Sequence, residues 1–176
     1  MTSTPRTEAW LSGPVDGVPP LLMPVAHALL HAQEDASHAL RDLQTDQIWK
    51  DAGAASVGYH VRHLGGALDR LLTYARGEAL SPEQRSALRT ETLPGTPPAG
   101  AAALIRELEG TIARAMAQLK ATPPDTLLEP RGVGRQQLPS TVLGLLFHAA
   151  EHAARHAGQA VTTARFIRAF VRGAGL

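Results

Sequence analysis

Four stretches of the chain repeat apolar residues at intervals of three and four, which is the spacing of an amphipathic α-helix. They cover approximately residues 21–43, 56–76, 99–120 and 140–171. The second stretch is typical, and its apolar positions are Val57, Val61, Leu64, Leu68, Leu71, Leu72 and Ala75. Apolar and polar residues nowhere alternate over a useful strand length, so the pattern predicts an all-α protein.

Residues at the predicted helix ends support these boundaries. Ser56 is a suitable N-cap for the second helix, and Gly77 is suited to the position just after its end. The connection 77–98 contains Ser81 followed by a proline and a glutamate, with Gln84 completing a capping box. We therefore expect a short extra helix from Pro82 to about Glu91 within the long connection between helices two and three.

Four long helices with one long connection predict a four-helix bundle. The connection 77–98 can cross the bundle from end to end, which favours an up-down-down-up order of the helices. We expect a single domain over residues 1–176 and loops at 44–55 and 121–138. Residues 1–20 are rich in proline and small polar residues and predict an irregular arm, pinned to the body by Trp10.

Composition narrows the class of protein. The 176 residues carry a net charge of +1, which indicates neither a nucleic acid nor an anionic membrane as a partner. The absence of cysteine excludes disulfides and thiolate metal ligands within this sequence. The sequence shows no signal peptide and no apolar run of about 20 residues, so we expect a cytoplasmic protein.

The fourth predicted helix carries a series of histidines in the segment HAAEHAARHAGQ, residues 148–159. His148, His152 and His156 follow one another at steps of four, so their side chains share one face of a helix. This spacing allows a rigid helix to present two imidazoles to one metal ion. Solvated or hydrogen-bonded histidines are the alternative, but three in series favour metal binding.

The second predicted helix offers a third ligand through His60 or His63. On a helical wheel His60 lies about 60° from the centre of the apolar stripe and His63 about 120°, so periodicity favours His60. Three nitrogen ligands leave an open position, as in catalytic sites, and suit Zn²⁺, Ni²⁺ or another first-row divalent ion. The histidines of the first helix are interpreted as surface residues: His27, His31 and His38.

Two segments together resemble the histidine signatures of the DinB-like (DinB/YfiT-type) family. They are SVGYHVRHLGGALDRLLTYARG at 56–77 and LFHAAEHAARHAGQ at 146–159, and the likeness extends over about residues 20–172. The resemblance implies a four-helix bundle that binds a divalent metal, commonly nickel or zinc, through one histidine of helix two and two residues of helix four. It also implies a homodimer.

Carried over by position, the resemblance makes His63, His152 and His156 the metal ligands. His63 lies seven positions after the capping Ser56 and directly before the aliphatic Leu64. His152 and His156 lie in the segment HAARHAGQ, which ends in a Gly-Gln pair. This choice of His63 differs from the wheel argument. His60 and His148 remain reserve candidates, as direct ligands or as supporting groups.

The resemblance also implies candidate activities. Some relatives are S-transferases or isomerases that use a low-molecular-weight thiol, and others resemble metal-dependent hydrolases. Arg62, Arg70 and Arg155 are candidates for binding a cosubstrate, although ordinary solvent-facing arginines are the simpler interpretation. Tyr59, His60 and Glu151 are candidate bases, with Glu151 expected to face outward or across a dimer interface. The alternative is that the protein is not an enzyme but a stress-associated helical bundle whose metal site is structural.

Overall fold

Six α-helices and one β-hairpin make up the described part of the chain, residues 8–51, 53 and 55–173 of a computed structural model. Helices of the 3₁₀ type occur at Ala9–Leu11, Pro20–Leu22 and Pro124–Thr126. The α-helices are α1 (Met23–Leu40), α2 (Thr45–Ile48), α3 (Val57–Ala75), α4 (Pro82–Thr90), α5 (Ala101–Ala121) and α6 (Val142–Gly173). The strands are β1 (Pro130–Val133) and β2 (Leu138–Thr141). The prediction of a mainly helical protein is confirmed.

The predicted helix ends agree with the observed ones because the capping residues act as expected. The hydroxyl of Ser56 accepts a hydrogen bond from the backbone N–H of Tyr59, with an N–O distance of 3.1 Å. Gly77 has a φ of +78°, the left-handed conformation that ends many helices. Ser81 and Gln84 form the capping box at the start of α4, which confirms the extra helix in the long connection.

Segments predicted as loops contain short elements. Strands β1 and β2 form an antiparallel hairpin in which Pro130 pairs with Thr141 and Val133 with Leu138. Four-residue strands are too short to produce a readable alternation, so the prediction of no strand was wrong here. Helix α2, with a capping box of Gln44 and Gln47, lies in the predicted loop 44–55.

The expectation that Trp10 pins the N-terminal arm is also wrong. The Trp10 side chain is 60% exposed, and its indole N–H donates to the nearby carboxylate of Glu8. In the described part of the arm, Val18 is buried in the core and Val15 packs against it. A ring nitrogen of His27 also lies 2.9 Å from the carbonyl oxygen of Gly13, so this histidine of α1 connects to the arm.

Helix α6 packs against both α1 and α3, and α5 packs against the same two helices. The side of α6 that faces this core is unusually rich in alanine, which allows neighbouring helices to approach closely. Its buried alanines are Ala149, Ala150, Ala153, Ala157, Ala160 and Ala164. No helix of the described chain combines the length and the apolar character needed to cross a membrane.

Polar contacts identify which helix ends lie together. Arg168, near the end of α6, donates to the carbonyl oxygens of His38, Ala39 and Arg41 at the end of α1. Gln118, near the end of α5, donates to the carbonyl oxygen of Leu72 near the end of α3. The C-terminal ends of α1 and α6 therefore meet, as do those of α3 and α5.

Trp49 fixes the loop after α2 against α3. Its indole N–H donates to the carbonyl oxygen of Ala99 at 2.7 Å, and the Arg62 guanidinium lies 4.6 Å from the centre of its ring. The ring crosses α3 at Gly58, where an added Cβ would lie 2.8 Å from ring atoms. The absence of a side chain at Gly58 therefore permits this contact.

We predict opposite effects of alanine at two helical glycines. Gly58→Ala is expected to lower the free energy of unfolding by about 1–3 kcal/mol, because the methyl group overlaps the Trp49 ring. Gly158→Ala on α6 adds a methyl group where nothing lies within 4 Å and is expected to raise it by up to about 1 kcal/mol. Urea denaturation measures both changes. Equal effects at the two positions would contradict the role given to Gly58.

Candidate metal centre

Three histidines from two helices meet at one point of the structure. One ring nitrogen from each of His63, His152 and His156 lies within 4.8 Å of the corresponding nitrogen of the others. The ring centroids are 4.5 Å apart for His63 and His156, 5.2 Å for His63 and His152, and 4.6 Å for His152 and His156. We call these three residues the histidine triad.

The local folding of α6 explains the placement of two of the three triad residues. His152 and His156 are one turn apart on the same face, and the buried Ala153 and Ala157 beside them bring α6 close to α3. His63 projects from α3 into the space between the two helices. His63 is far in sequence from His152 and His156, so only the packing of α3 on α6 brings the three together.

The reserve candidates lie beside the triad and differ from each other. His60 is 6% exposed, in agreement with the wheel argument, and its Nδ1 lies 3.2 Å from Nδ1 of His156. His148 is exposed on the outer side of α6, where its Nδ1 lies 3.3 Å from a carboxylate oxygen of Glu151. Its ring centroid is 5.7 Å from that of His152. Neither residue belongs to the group of nitrogens that lie within 4.8 Å of one another.

Glu91 is a residue of the site that the sequence analysis missed. It is the C-cap of α4 and only 3% exposed. Its Oε2 lies 2.6 Å from Nδ1 of His63, and its Oε1 accepts a hydrogen bond from the guanidinium of Arg70. No periodicity links Glu91 with His63, because the contact spans 28 positions and depends on how the long connection returns to α3.

Burial lowers the pKa of several histidines at the site. Desolvation is the largest cause of the low pKa of His156, about 4, and the neighbouring His63, His152 and His60 lower it further. The pKa of His152 falls below 6.5 for the same reasons, mainly burial and then the charge of His63. Burial and His63 also lower the pKa of His60. His60, His152 and His156 are therefore neutral near pH 7, which is the form that binds metals.

Opposing effects act on the pKa of the Glu91 carboxyl. Burial on its own would raise its pKa, but hydrogen bonds from His63 and Arg70, together with their charges, outweigh burial and hold the pKa below its usual value. The side chain is therefore an ionised carboxylate.

The donor set fits a divalent transition metal. Nδ1 of His152 is buried and has no hydrogen-bond partner among the described residues, which is unfavourable unless something else binds it. Three imidazoles on rigid helices are typical ligands for zinc, nickel and related ions. The triad could therefore hold such an ion.

Other candidate residues already have partners in the structure. Arg62 donates to the carbonyl oxygen of Leu93, and Arg70 is buried against Glu91 rather than facing solvent. Arg155 pairs with Glu151 on the outer side of α6, as the wheel position of Glu151 predicted. Tyr59 stacks on His63, with ring centroids 5.3 Å apart.

The histidine pKa values predict how the stability of the metal-free protein depends on pH. Because the pKa of His156 falls from 6.5 to about 4 on folding, the unfolded chain binds more protons between these values. This contribution to stability is complete above pH 6.5 and is lost as the pH falls towards 4. Urea denaturation across this range should show a smaller loss for His156→Gln than for the unchanged protein. Equal losses would contradict the assignment.

Comparisons with known proteins agree with the helical fold. A crystal structure of a conserved protein from Enterococcus faecalis is similar, with a TM-score of 0.65 and 20% identity over 84% of this chain and 97% of that one. No curated protein matches the sequence. The profile of the DinB superfamily matches residues 28–160, which is most of the chain. The protein therefore belongs to the DinB superfamily.

Proposed function

We propose that the protein is a divalent-metal-dependent enzyme, whose triad of His63, His152 and His156 holds Zn²⁺ or Ni²⁺ and leaves a coordination position open. The observation that carries this proposal is the convergence of three ring nitrogens within 4.8 Å. When bound, such an ion lowers the pKa of a water or thiol that coordinates it. The membership of the DinB superfamily adds support, because the resemblance already implied a metal site at these positions.

Transfer of a low-molecular-weight thiol to an electrophile is the reaction that the surrounding residues favour. In this reaction the S–H bond breaks and the sulfur forms a bond to an electrophilic carbon, while the bond from that carbon to its leaving group breaks. The leaving group departs with the electron pair and takes up the proton, directly or through solvent. A thiol with a lowered pKa needs no separate base, whereas hydrolysis gains from one. The carboxylates nearest the triad are already engaged, Glu91 by His63 and Arg70 and Glu151 by Arg155. Hydrolysis is the second candidate, with His60 as its base.

Arg155 is the arginine best suited to bind a cosubstrate carboxylate. Its side chain is about half exposed, whereas Arg70 is buried against Glu91. Its partner Glu151 lies on the same exposed helix surface, and such a surface ion pair contributes only about 0–1 kcal/mol. The guanidinium can therefore exchange Glu151 for a ligand at little cost.

We predict that the protein purified without a histidine tag contains about one equivalent of zinc or nickel per chain. His152→Ala is expected to lose the metal, because two imidazoles bind a divalent ion far less tightly than three. His148→Ala is the matched control on the same helix and should keep it. Elemental analysis by mass spectrometry measures the content. An absence of metal in the unchanged protein, even after incubation with either ion, would contradict the proposal.

The alternative hypothesis, that the metal only stabilises the fold, predicts a different result. There a fourth protein ligand, His60 or His148, would close the site, and chelation would unfold the helices. The enzyme that we propose has an exchangeable position, so added thiols should perturb the visible spectrum of a cobalt-substituted sample. No spectral change with thiols, together with unfolding on chelation, would favour the structural site.

We further propose that the four long helices form an up-down-down-up bundle. The meeting C-terminal ends of α1 and α6, and those of α3 and α5, support parallel directions within each pair. Contacts of His60 with His156 and of His63 with His152 support opposite directions for α3 and α6. This arrangement would use the long connection to cross the bundle.

We also propose that the protein is a homodimer. All three of the chain's phenylalanines lie on α6 and are at least 62% exposed: Phe147, Phe166 and Phe170. Exposed aromatic residues are typical of protein interfaces. Light scattering should give twice the chain mass of 18.6 kDa, and Phe166→Ser with Phe170→Ser should reduce it to one chain. Leu93→Ser, at another exposed residue, is the control; a monomer in all three samples would contradict the proposal.

A further inference from the structure

We propose that Glu91 is a positioning residue for the histidine triad, which holds the ring proton of His63 on Nδ1 and so directs Nε2 of His63 towards the metal ion. The part of this inference that concerns the metal rests on the proposed function. The position of the proton is a property of the metal-free protein and stands independently. Both parts follow from how three residues of α3 meet Glu91 at the end of α4. The three residues are His63, Gly66 and Arg70.

The contact between Glu91 and His63 determines which ring nitrogen carries the proton. An ionised carboxylate can only accept hydrogen bonds, so a ring nitrogen that lies beside it must be the donor. Because Oε2 of Glu91 lies 2.6 Å from Nδ1 of His63, the proton must be on Nδ1. With Nδ1 engaged by the carboxylate, Nε2 is the ring nitrogen left to act as a ligand.

Arg70 holds the carboxylate in place from its other side. Its guanidinium donates to Oε1 of Glu91, while His63 binds Oε2, so both oxygens are occupied. The two charged groups are 9% and 3% exposed, which makes removal of either partner unfavourable. Arg70 follows His63 by seven positions, or about two helical turns, so both side chains reach Glu91 from the same face of α3.

Gly66 provides the space for this carboxylate. It lies between His63 and Arg70 on the same face of α3, and a Cβ added there would be 2.3 Å from Oε1 of Glu91 and 3.0 Å from the Arg70 guanidinium. Any side chain at this position would therefore displace Glu91. At the neighbouring Gly65 an added Cβ would meet only ordinary contacts, at 3.8 Å from Leu108 and 3.9 Å from Thr111.

The arrangement has a consequence for metal affinity. A carboxylate bound to one nitrogen of a histidine fixes the orientation of the ring and makes the other nitrogen more basic. Mutation of such a partner typically reduces metal affinity about 10–100-fold. Glu91 ends α4, so the long connection between α3 and α5 takes part in shaping the site although it supplies no proposed ligand.

The first experiment reads the ring proton in the metal-free protein. Two-bond ¹H–¹⁵N correlation spectra at neutral pH distinguish a proton on Nδ1 from one on Nε2. We expect His63 to carry its proton on Nδ1 in the unchanged protein and in Gly65→Ala. In Glu91→Ala and Gly66→Ala we expect a mixture of the two forms. An unchanged His63 signal in both of the latter variants would overturn the proposal.

The second experiment compares affinities for Zn²⁺ by competition with a chelating dye. Glu91→Ala and Gly66→Ala should bind about 10–100-fold more weakly than the unchanged protein. Glu91→Gln offers one acceptor oxygen where the carboxylate offers two, so it can accept from His63 or from Arg70 but not from both, and its loss should be intermediate. This variant also keeps the test decisive if Glu91→Ala does not fold. Circular dichroism will show whether each variant is folded.

Two controls separate positioning from a general effect on α3 or α4. Gly65→Ala adds the same methyl group to the next position of α3 and should bind Zn²⁺ as the unchanged protein does. Glu83→Gln removes a negative charge from α4 beside Ser81 and Arg85 and should also have no effect. Equal losses in Gly65→Ala and Gly66→Ala would overturn the role of the carboxylate.

The two experiments distinguish failure of this inference from failure of the proposed function. If neither the unchanged protein nor any variant binds Zn²⁺, the metal-dependent function is wrong. The spectra then still decide whether Glu91 holds the ring proton of His63 on Nδ1. If the unchanged protein binds Zn²⁺ and Glu91→Gln and Gly66→Ala bind it equally well, the metal site stands and the positioning role is wrong.

Discussion

The packing of α6 against α3 is the constraint on which the site depends. The core side of α6 is mostly alanine, so the two helix backbones approach closely and the longer imidazoles at their edge must meet. This contact partly shields the rings from water, which lowers the pKa values of His152 and His156 and keeps both neutral. The packing of α3 and α6 therefore produces both the geometry and the protonation state that a metal would require.

Burial of polar groups at this contact must be compensated locally. Nδ1 of His152 has no partner among the described residues, whereas the buried carboxylate of Glu91 has two. A buried nitrogen without a partner costs about 1–3 kcal/mol, so binding of a ligand to Nδ1 of His152 would be favourable. The fully paired Glu91 and Arg70 instead give the α3 side of the site a rigid support.

Two glycines of α3 show how the helix admits its neighbours. Gly58 leaves room for the Trp49 ring, and Gly66 leaves room for the Glu91 carboxylate. In both places the missing side chain allows a segment outside the long helices to reach the α3 backbone. The loop after α2 and the end of α4 are thereby fixed on either side of the segment that carries His60 and His63.

The sequence by itself determined the helical class, the main helix boundaries and the capping residues, because these depend on interactions within a few positions along the chain. It also placed His148, His152 and His156 on one helical face, and the resemblance selected His63, His152 and His156. Only the tertiary structure decided that His60 lies against His156 outside the triad, that Glu91 and Arg70 support His63, and that β1 pairs with β2. Helical periodicity gives the direction of a side chain but not the relative rotation and separation of two helices. Those depend on the packing of residues far apart in the chain.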